Sequence, residues 1–301
     1  MPERVRIYEV GPRDGLQNEA ALLPTDKKVE LILALADAGL EKVEVTSFVS
    51  PRWIPPLADA PELCARLPKR EHTTYSALVP NQKGLENLLK TDLRECAIFI
   101  SASETHNRKN INRGIDEAAE LFESVVAAAL EAGLRVRAYL SMVWGCPWEG
   151  DVPVDRVVEL TRRLLGMGCY EVSLGDTVGY GTPAQTLHIL RHLFEAGIEP
   201  GRLAMHMHDT RGAAMANCLA GLEAGITTFD AAVGGLGGCP YARGASGNLA
   251  TEDLVYLLHG MGVATGIDLE KLIDAAELAQ ALVGRPLPGR YFQARLAERR
   301  G

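Results

Sequence analysis

Two histidines one residue apart, His206 and His208, stand in the short apolar run Ala204-Met205-His206-Met207-His208. Residues i and i+2 of a strand point to the same side, so both imidazoles would share one face. Such a pair can be simple polar packing. With a carboxylate in reach it becomes a ligand set, because two neutral imidazoles and one carboxylate leave half of an octahedron open for water or substrate oxygens. Asp14, in the turn Gly11-Pro12-Arg13-Asp14-Gly15, is the carboxylate we assign to that set. Nothing in the chain offers the thiolate cluster of structural zinc. The same ligand types serve non-haem iron oxygenases, so they do not by themselves fix the reaction.

Other polar residues share this neighbourhood. Arg13 would place a permanent cation beside the metal, as a fork for an oxygen that gains negative charge during reaction. Glu44 alternates with Val43 and Val45, which turns its carboxylate inward, where a buried acid needs a partner. Arg13 is the obvious one; Glu44 then either orients the guanidinium or exchanges a proton. Asp176, in Leu174-Gly175-Asp176-Thr177, either holds a ligand histidine or transfers a proton. Cys239 follows the run Gly234-Gly235-Leu236-Gly237-Gly238, a setting in which a thiol can be carried over the metal to deliver a proton to a carbanion. Asn248 would supply a neutral oxygen to the metal or serve as a turn residue.

Positioning these groups requires elements that bring distant residues to one place. Strand-like runs cover Val5–Val10, Lys42–Thr46, Thr73–Leu78, Glu95–Ile100, Arg135–Ser141, Tyr170–Leu174, Ala204–His208 and Thr228–Ala232. Between them lie helical patterns. One puts Val29, Ile32, Leu33 and Ala36 on one face; another does so with Ile115, Ala118, Ala119, Phe122 and Val126. Six helices end in Gly followed by an apolar residue, at Gly39, Gly133, Gly168, Gly197, Gly225 and Gly262, as repeated βα units require. The pattern predicts a closed (β/α)₈ TIM barrel, with additional C-terminal helices after Gly262 and a frayed tail over Ala294–Gly301. An open doubly wound sheet is the alternative, but no GxGxxG follows the first strand. In the barrel every residue named above falls at a strand's C-terminal end or in the loop after it, where such barrels carry function. The first and seventh strands, bearing Asp14 and His208, are separated only by the eighth.

Composition narrows the partners. The 301 residues are 47% hydrophobic, enough for one large domain with its own core, and no composition shift divides them. A formal charge of −8 argues against nucleic acid, since a phosphate backbone selects basic faces. No run of about 18 apolar residues predicts a membrane span. Six scattered cysteines without a CxxC pair, and a start lacking a signal or transit pattern, predict a soluble cytoplasmic protein.

Several of these stretches together resemble the 3-hydroxy-3-methylglutaryl-CoA lyase family. They are Val10–Glu19 (VGPRDGLQNE), Glu44–Pro51 (EVTSFVSP), Ser173–Thr177, His206–Thr210 (HMHDT), Gly234–Tyr241 (GGLGGCPY) and Gly244–Asp253 (GASGNLATED). The resemblance spans nearly the whole chain, and the Cys239 loop is specific to the lyase branch. It implies an Mg²⁺ or Mn²⁺ enzyme splitting 3-hydroxy-3-methylglutaryl-CoA into acetoacetate and acetyl-CoA, with an acyl-CoA as its small-molecule partner and a homodimer as its assembly. Asp14, His206, His208 and Asn248 would be metal ligands, Arg13 would contact the thioester oxygen, and Cys239 would act in proton transfer. Glu44 and Asp176 would support the site, and an Asp or His of the metal shell, such as His206, would take the hydroxyl proton. Two departures stand out. Arg295–Gly301 holds no cysteine where eukaryotic members carry a regulatory one. The segments Met142–Gly150, with Trp144 and Trp148, and Ser103–Arg108 differ from the commonest pattern and bear on how acyl group and CoA are held. A lyase for a larger 3-hydroxy-3-substituted glutaryl-CoA would share these catalytic residues. A Claisen-condensing synthase would lack the Cys239 loop.

Overall fold

Eight parallel strands close on themselves: β1 (Arg6–Glu9), β2 (Lys42–Ser47), β3 (Thr74–Leu78), β4 (Glu95–Ser101), β5 (Arg135–Ser141), β6 (Glu171–Asp176), β7 (Leu203–Met207) and β8 (Thr228–Ala231). They pair in sequence order, and β8 returns to β1 with Tyr8 opposite Asp230 and Glu9 opposite Ala231. This is the (β/α)₈ barrel expected from the alternating pattern. The computed structural model describes residues 1–238 and 247–301. Strand ends differ from the expected spans by one or two residues, which leaves His208 just past β7, bridged to Asn248.

The apolar core lies between strands and helices. Outward-facing Val43, Val45, Ile98, Ile100, Val136 and Leu140 meet helices α1 (Thr25–Asp37), α2 (Ala60–Arg66), α3 (Gln82–Leu88), α4 (Glu104–Ile111), α5 (Ile115–Glu131), α6 (Val154–Gly166), α7 (Pro183–Glu195) and α8 (Ala214–Glu223). The helices cover only the outer face of the closed barrel, so along β2 and β5 these outward apolar residues alternate with inward polar ones. The α5 face is the expected one. That of α1 is rotated: Lys28, Leu31, Ile32 and Leu35 are buried, while Val29, Leu33 and Ala36 are only partly so. Periodicity favoured the apolar residues, but Lys28 is drawn inside by Asp59 (2.6 Å) and the Pro56 carbonyl.

The six glycines that end helices before apolar residues all have positive φ, between 76° and 105°. At Gly39 a Cβ would also collide with the Gly266 carbonyl. After the barrel come α9 (Thr251–Gly260), α10 (Leu269–Val283) and α11 (Arg290–Arg300). The tail expected to fray is therefore helical to Arg300. Arg295 and Arg299 tie it to Glu270, Asp274 and Glu277 on α10, and Phe292 is fully buried. Among the described residues no helix is long and apolar enough to cross a membrane.

Candidate metal-dependent active site

The barrel interior is filled less by apolar side chains than by paired polar ones. Tyr8 bonds Ser76 and Glu95, Lys42 reaches Glu95, and Arg137, the largest fully buried side chain, bonds Glu171 and Asp230. The site sits above this layer at the C-terminal mouth.

Its first wall is the turn after β1. The amides of Arg13, Asp14 and Gly15 all converge on the Val10 carbonyl, at 3.1, 2.7 and 3.2 Å, in one wide helical turn that presents Arg13 and Asp14 together. Glu9 fastens the turn from below, accepting from the amides of Gly11 (2.7 Å) and Val233 (2.9 Å) and from the Thr251 hydroxyl (2.6 Å). Arg13 is buried. Its Nε donates to Glu44 and its Nη1 to Asp14 Oδ1 (2.6 Å), while Tyr139 donates to the other Glu44 oxygen (3.0 Å). The inward Glu44 and its pairing with Arg13 are as the alternation predicted. Burial pushes the Glu44 carboxyl up from its ordinary range, and Arg13 and Tyr139 pull against that shift.

The second wall is the end of β7. His206 Nε2 lies 3.3 Å from His208 Nε2 and 4.0 Å from Asp14 Oδ2. One ligand atom from each of Asp14, His206 and His208 falls within 4.8 Å of the others. Among the described residues no other group of three such side chains converges this way. The donor chemistry fits a divalent cation. Burial opposes charge on Asp14, but Arg13, both histidines and the Asn248 amide outweigh it and hold the carboxyl near 2. Burial and His206 push His208 down to about 4, so it stands as a neutral imidazole at physiological pH. The His208 Nδ1 is buried without a hydrogen-bond partner among the described residues.

Asn248 forms the third wall. The strand-like segment 247–249 docks beside Met207–Asp209 through Leu249 N to Met207 O (2.9 Å) and Asp209 N to Gly247 O (3.0 Å). The Asn248 amide donates to Asp14 Oδ2 (2.8 Å) and to the Leu236 carbonyl (3.0 Å), so it borders the ligand set. Gly237, at φ +115°, makes room for it: a Cβ there would sit 2.6 Å from Asn248 Nδ2. Cys239 lies outside the described residues.

One expectation is revised. The Asp176 side chain does not hold a ligand histidine. Its oxygens accept from the Tyr180 and Gly181 amides, both at 2.8 Å, and close the loop after β6; only its carbonyl meets His208, through that residue's amide (3.3 Å). The carboxylate on a candidate ligand histidine is instead Asp230, 3.2 Å from His206 Nδ1. Sequence reasoning passed over Asp230, Arg137 and Tyr139. Each is a polar residue alternating with apolar ones inside a strand, the same pattern that exposed Glu44, so the signal was available. Of the two loop tryptophans, Trp144 is buried and donates to Thr186 (3.0 Å), while Trp148 is 40% exposed and stacks on His106. Beside Asn248 a cleft of about 430 Å³ opens between the segments Asp209–Gly212 and Pro288–Arg290.

Comparison with known proteins gives one consistent result. Residues 4–279 match the family described as HMGL-like. The chain is 49% identical over 292 residues to the hydroxymethylglutaryl-CoA lyase YngG of Bacillus subtilis, covering 97% of each protein. It superimposes on hydroxymethylglutaryl-CoA lyase from Pseudomonas aeruginosa with a TM-score of 0.96, at 46% identity and 99% coverage of both chains. It is also similar to an HMG-CoA lyase from Acinetobacter baumannii in complex with coenzyme A and 3-methylmalate. There the TM-score is 0.92 at 38% identity, covering 97% of this chain and 95% of that one.

Proposed function

The chain belongs to the HMGL-like family, and from that premise we propose that it cleaves 3-hydroxy-3-methylglutaryl-CoA into acetoacetate and acetyl-CoA at a divalent-metal site. The observation that carries this reading is the convergence of Asp14, His206 and His208 with Arg13 at its edge. Asp14, His206 and His208 would hold the cation, with Asn248 as a fourth ligand once its amide turns its oxygen inward. A set of one carboxylate, two imidazoles and an amide oxygen suits Mg²⁺ or Mn²⁺. When bound, such a cation supplies Lewis acidity that makes a substrate hydroxyl easier to deprotonate.

The rest of the chemistry falls to the chain. The tertiary hydroxyl passes its proton to Asp14 or His208, the two groups of the metal shell other than His206. The bond between C2 and C3 breaks, and the electron pair passes into the thioester as an enolate. Arg13 faces that developing charge. Its guanidinium is held by Glu44 and Asp14, so it is oriented before the reaction rather than during it. The enolate carbon must then gain a proton to become the methyl group of acetyl-CoA, and Cys239 is the proposed donor. Glu44 is a positioning residue, since both its oxygens are engaged. Asp176 positions the loop after β6. With Nδ1 on Asp230 and Nε2 in the ligand set, His206 has no nitrogen left for proton transfer, and we assign it as a ligand alone.

The cleft beside Asn248 carries Arg211 and Arg290 and is the proposed seat of the CoA arm. We further propose a homodimer without nucleic-acid or membrane partners and a cytoplasmic location; the scattered thiols fit a reducing compartment. Acyl specificity is tested by comparing purified protein on 3-hydroxy-3-methylglutaryl-CoA and on its isohexenyl analogue. Faster release of acetyl-CoA from the methyl compound is expected. Preference for the larger thioester would contradict the substrate assignment.

A further inference from the structure

Asp230 is not among the residues that sequence motifs single out, yet it has the most heavily engaged carboxylate in the barrel mouth. It stands in β8 with no exposed side-chain surface. Oδ1 accepts from Arg137 Nη2 (2.6 Å). Oδ2 accepts from Arg137 Nη1 (3.1 Å) and the Ser173 hydroxyl (2.7 Å), and meets His206 Nδ1 at 3.2 Å. Paired side-on with a buried guanidinium, it is a carboxylate and can only accept. The hydrogen between it and His206 therefore belongs to Nδ1. That leaves a lone pair on Nε2, the atom 3.3 Å from His208 and 4.0 Å from Asp14.

We propose that Asp230, anchored by Arg137, is the positioning residue that fixes the tautomer and ring orientation of His206 for metal ligation. The two histidines are then unequal, because His208 Nδ1 has no such anchor among the described residues. The anchor continues further. Arg137 lies over the Tyr139 ring (5.0 Å), Tyr139 donates to Glu44, and Glu44 holds Arg13, whose other arm holds Asp14. One buried chain of contacts thus sets both a metal ligand and the cation that faces the substrate.

Asp230→Asn separates this role from mere filling of space. An amide has one acceptor oxygen, and the Arg137 charge claims it. The amide N–H then faces His206 Nδ1, which must become the acceptor, and the proton moves to Nε2, the wrong nitrogen for ligation. The inference rests on the metal reading above, so two measurements keep them apart. The first is the ¹⁵N–¹H correlation spectrum of the histidine rings in metal-free protein, with His206 assigned by its loss in His206→Gln. The wild type should show the Nδ1–H tautomer and D230N the Nε2–H tautomer. The second is Mn²⁺ titration followed by electron paramagnetic resonance, in which D230N should bind about 10–100-fold more weakly. An Nε2–H ring in the wild type, or a D230N protein that binds Mn²⁺ as the wild type does, would overturn the assignment. Should D230N not fold, the wild-type ring decides the matter alone. Wild-type protein that binds no Mn²⁺ would overturn the metal reading, while its tautomer still tests Asp230.

Discussion

Arg13 is gripped from two sides, by Glu44 at its Nε and by Asp14 at Nη1, and it is almost completely buried. Desolvation works against its charge, and the two carboxylates more than restore it. A lysine would keep the charge but lose the planar fork that meets both partners. Arg13→Lys should lower kcat by at least about 10²-fold, the scale of removing one oriented donor from a developing oxyanion. Mn²⁺ binding should change little, because lysine keeps a positive charge beside Asp14. Steady-state kinetics beside a metal titration check this, and near-normal kcat would remove the guanidinium from the chemistry. Cys239 offers a complementary case. Cys239→Ala should retain the metal and lose most turnover, as acetyl-CoA release read beside a metal titration would show; a near-normal rate would take the thiol out of the reaction.

At the scale of elements, two turns must hold their places: the one after β1 and the one after β8, at Val233–Gly235. Glu9 and Glu252 fasten them from inside. Glu252 accepts from the Gly234 amide (3.0 Å), its other oxygen is buried without a partner, and burial pushes its carboxyl up to about 8. A carboxyl whose folded-state value lies above its unfolded one contributes stability that is complete below about 4.5 and is lost as pH rises toward about 8. The melting temperature of the wild type should therefore fall most clearly between about pH 6.5 and pH 8, above the range in which the buried His208, held near 4, raises stability. Glu252→Gln, which cannot ionise, should flatten that fall. Glu9, pushed by burial to about 7, leaves a residual slope. Parallel melting curves for the two proteins would show that Glu252 ionises freely in the fold.

Elements of this kind were unevenly legible in the chain. The β2 carboxylate, the β7 histidine pair and the Gly-apolar helix ends follow from period-2 alternation and backbone sterics, which are local. The rotation of α1 was not legible, because Lys28 is buried by a partner from a distant segment, Asp59, that periodicity does not see. Asp230 was missed for a related reason. Its alternation in Thr228-Phe229-Asp230-Ala231 marks an inward acid, but what that acid does comes from Arg137 on β5, reached across the barrel. The helical tail depends likewise on ion pairs with α10 that spacing within α11 does not reveal.

For the molecule as a whole, the barrel gathers groups far apart in the chain at one mouth and sets them on strand ends buried by the surrounding helices. The proposed metal ligands stand in the turn after β1 and at the end of β7, the residues that hold them in place on β2, β5 and β8, and the bordering amide in the segment after β8. That division makes activity a property of the closed barrel rather than of any one motif. The central claim is that Asp14, His206 and His208 hold the cation on which cleavage depends. It is tested most directly by following turnover of 3-hydroxy-3-methylglutaryl-CoA against bound Mn²⁺ as chelator-stripped protein is reloaded. The rate of acetyl-CoA formation should rise in proportion to occupancy from a negligible start and level off at one Mn²⁺ per chain. Undiminished turnover by the stripped protein, or no turnover at full occupancy, would contradict the account.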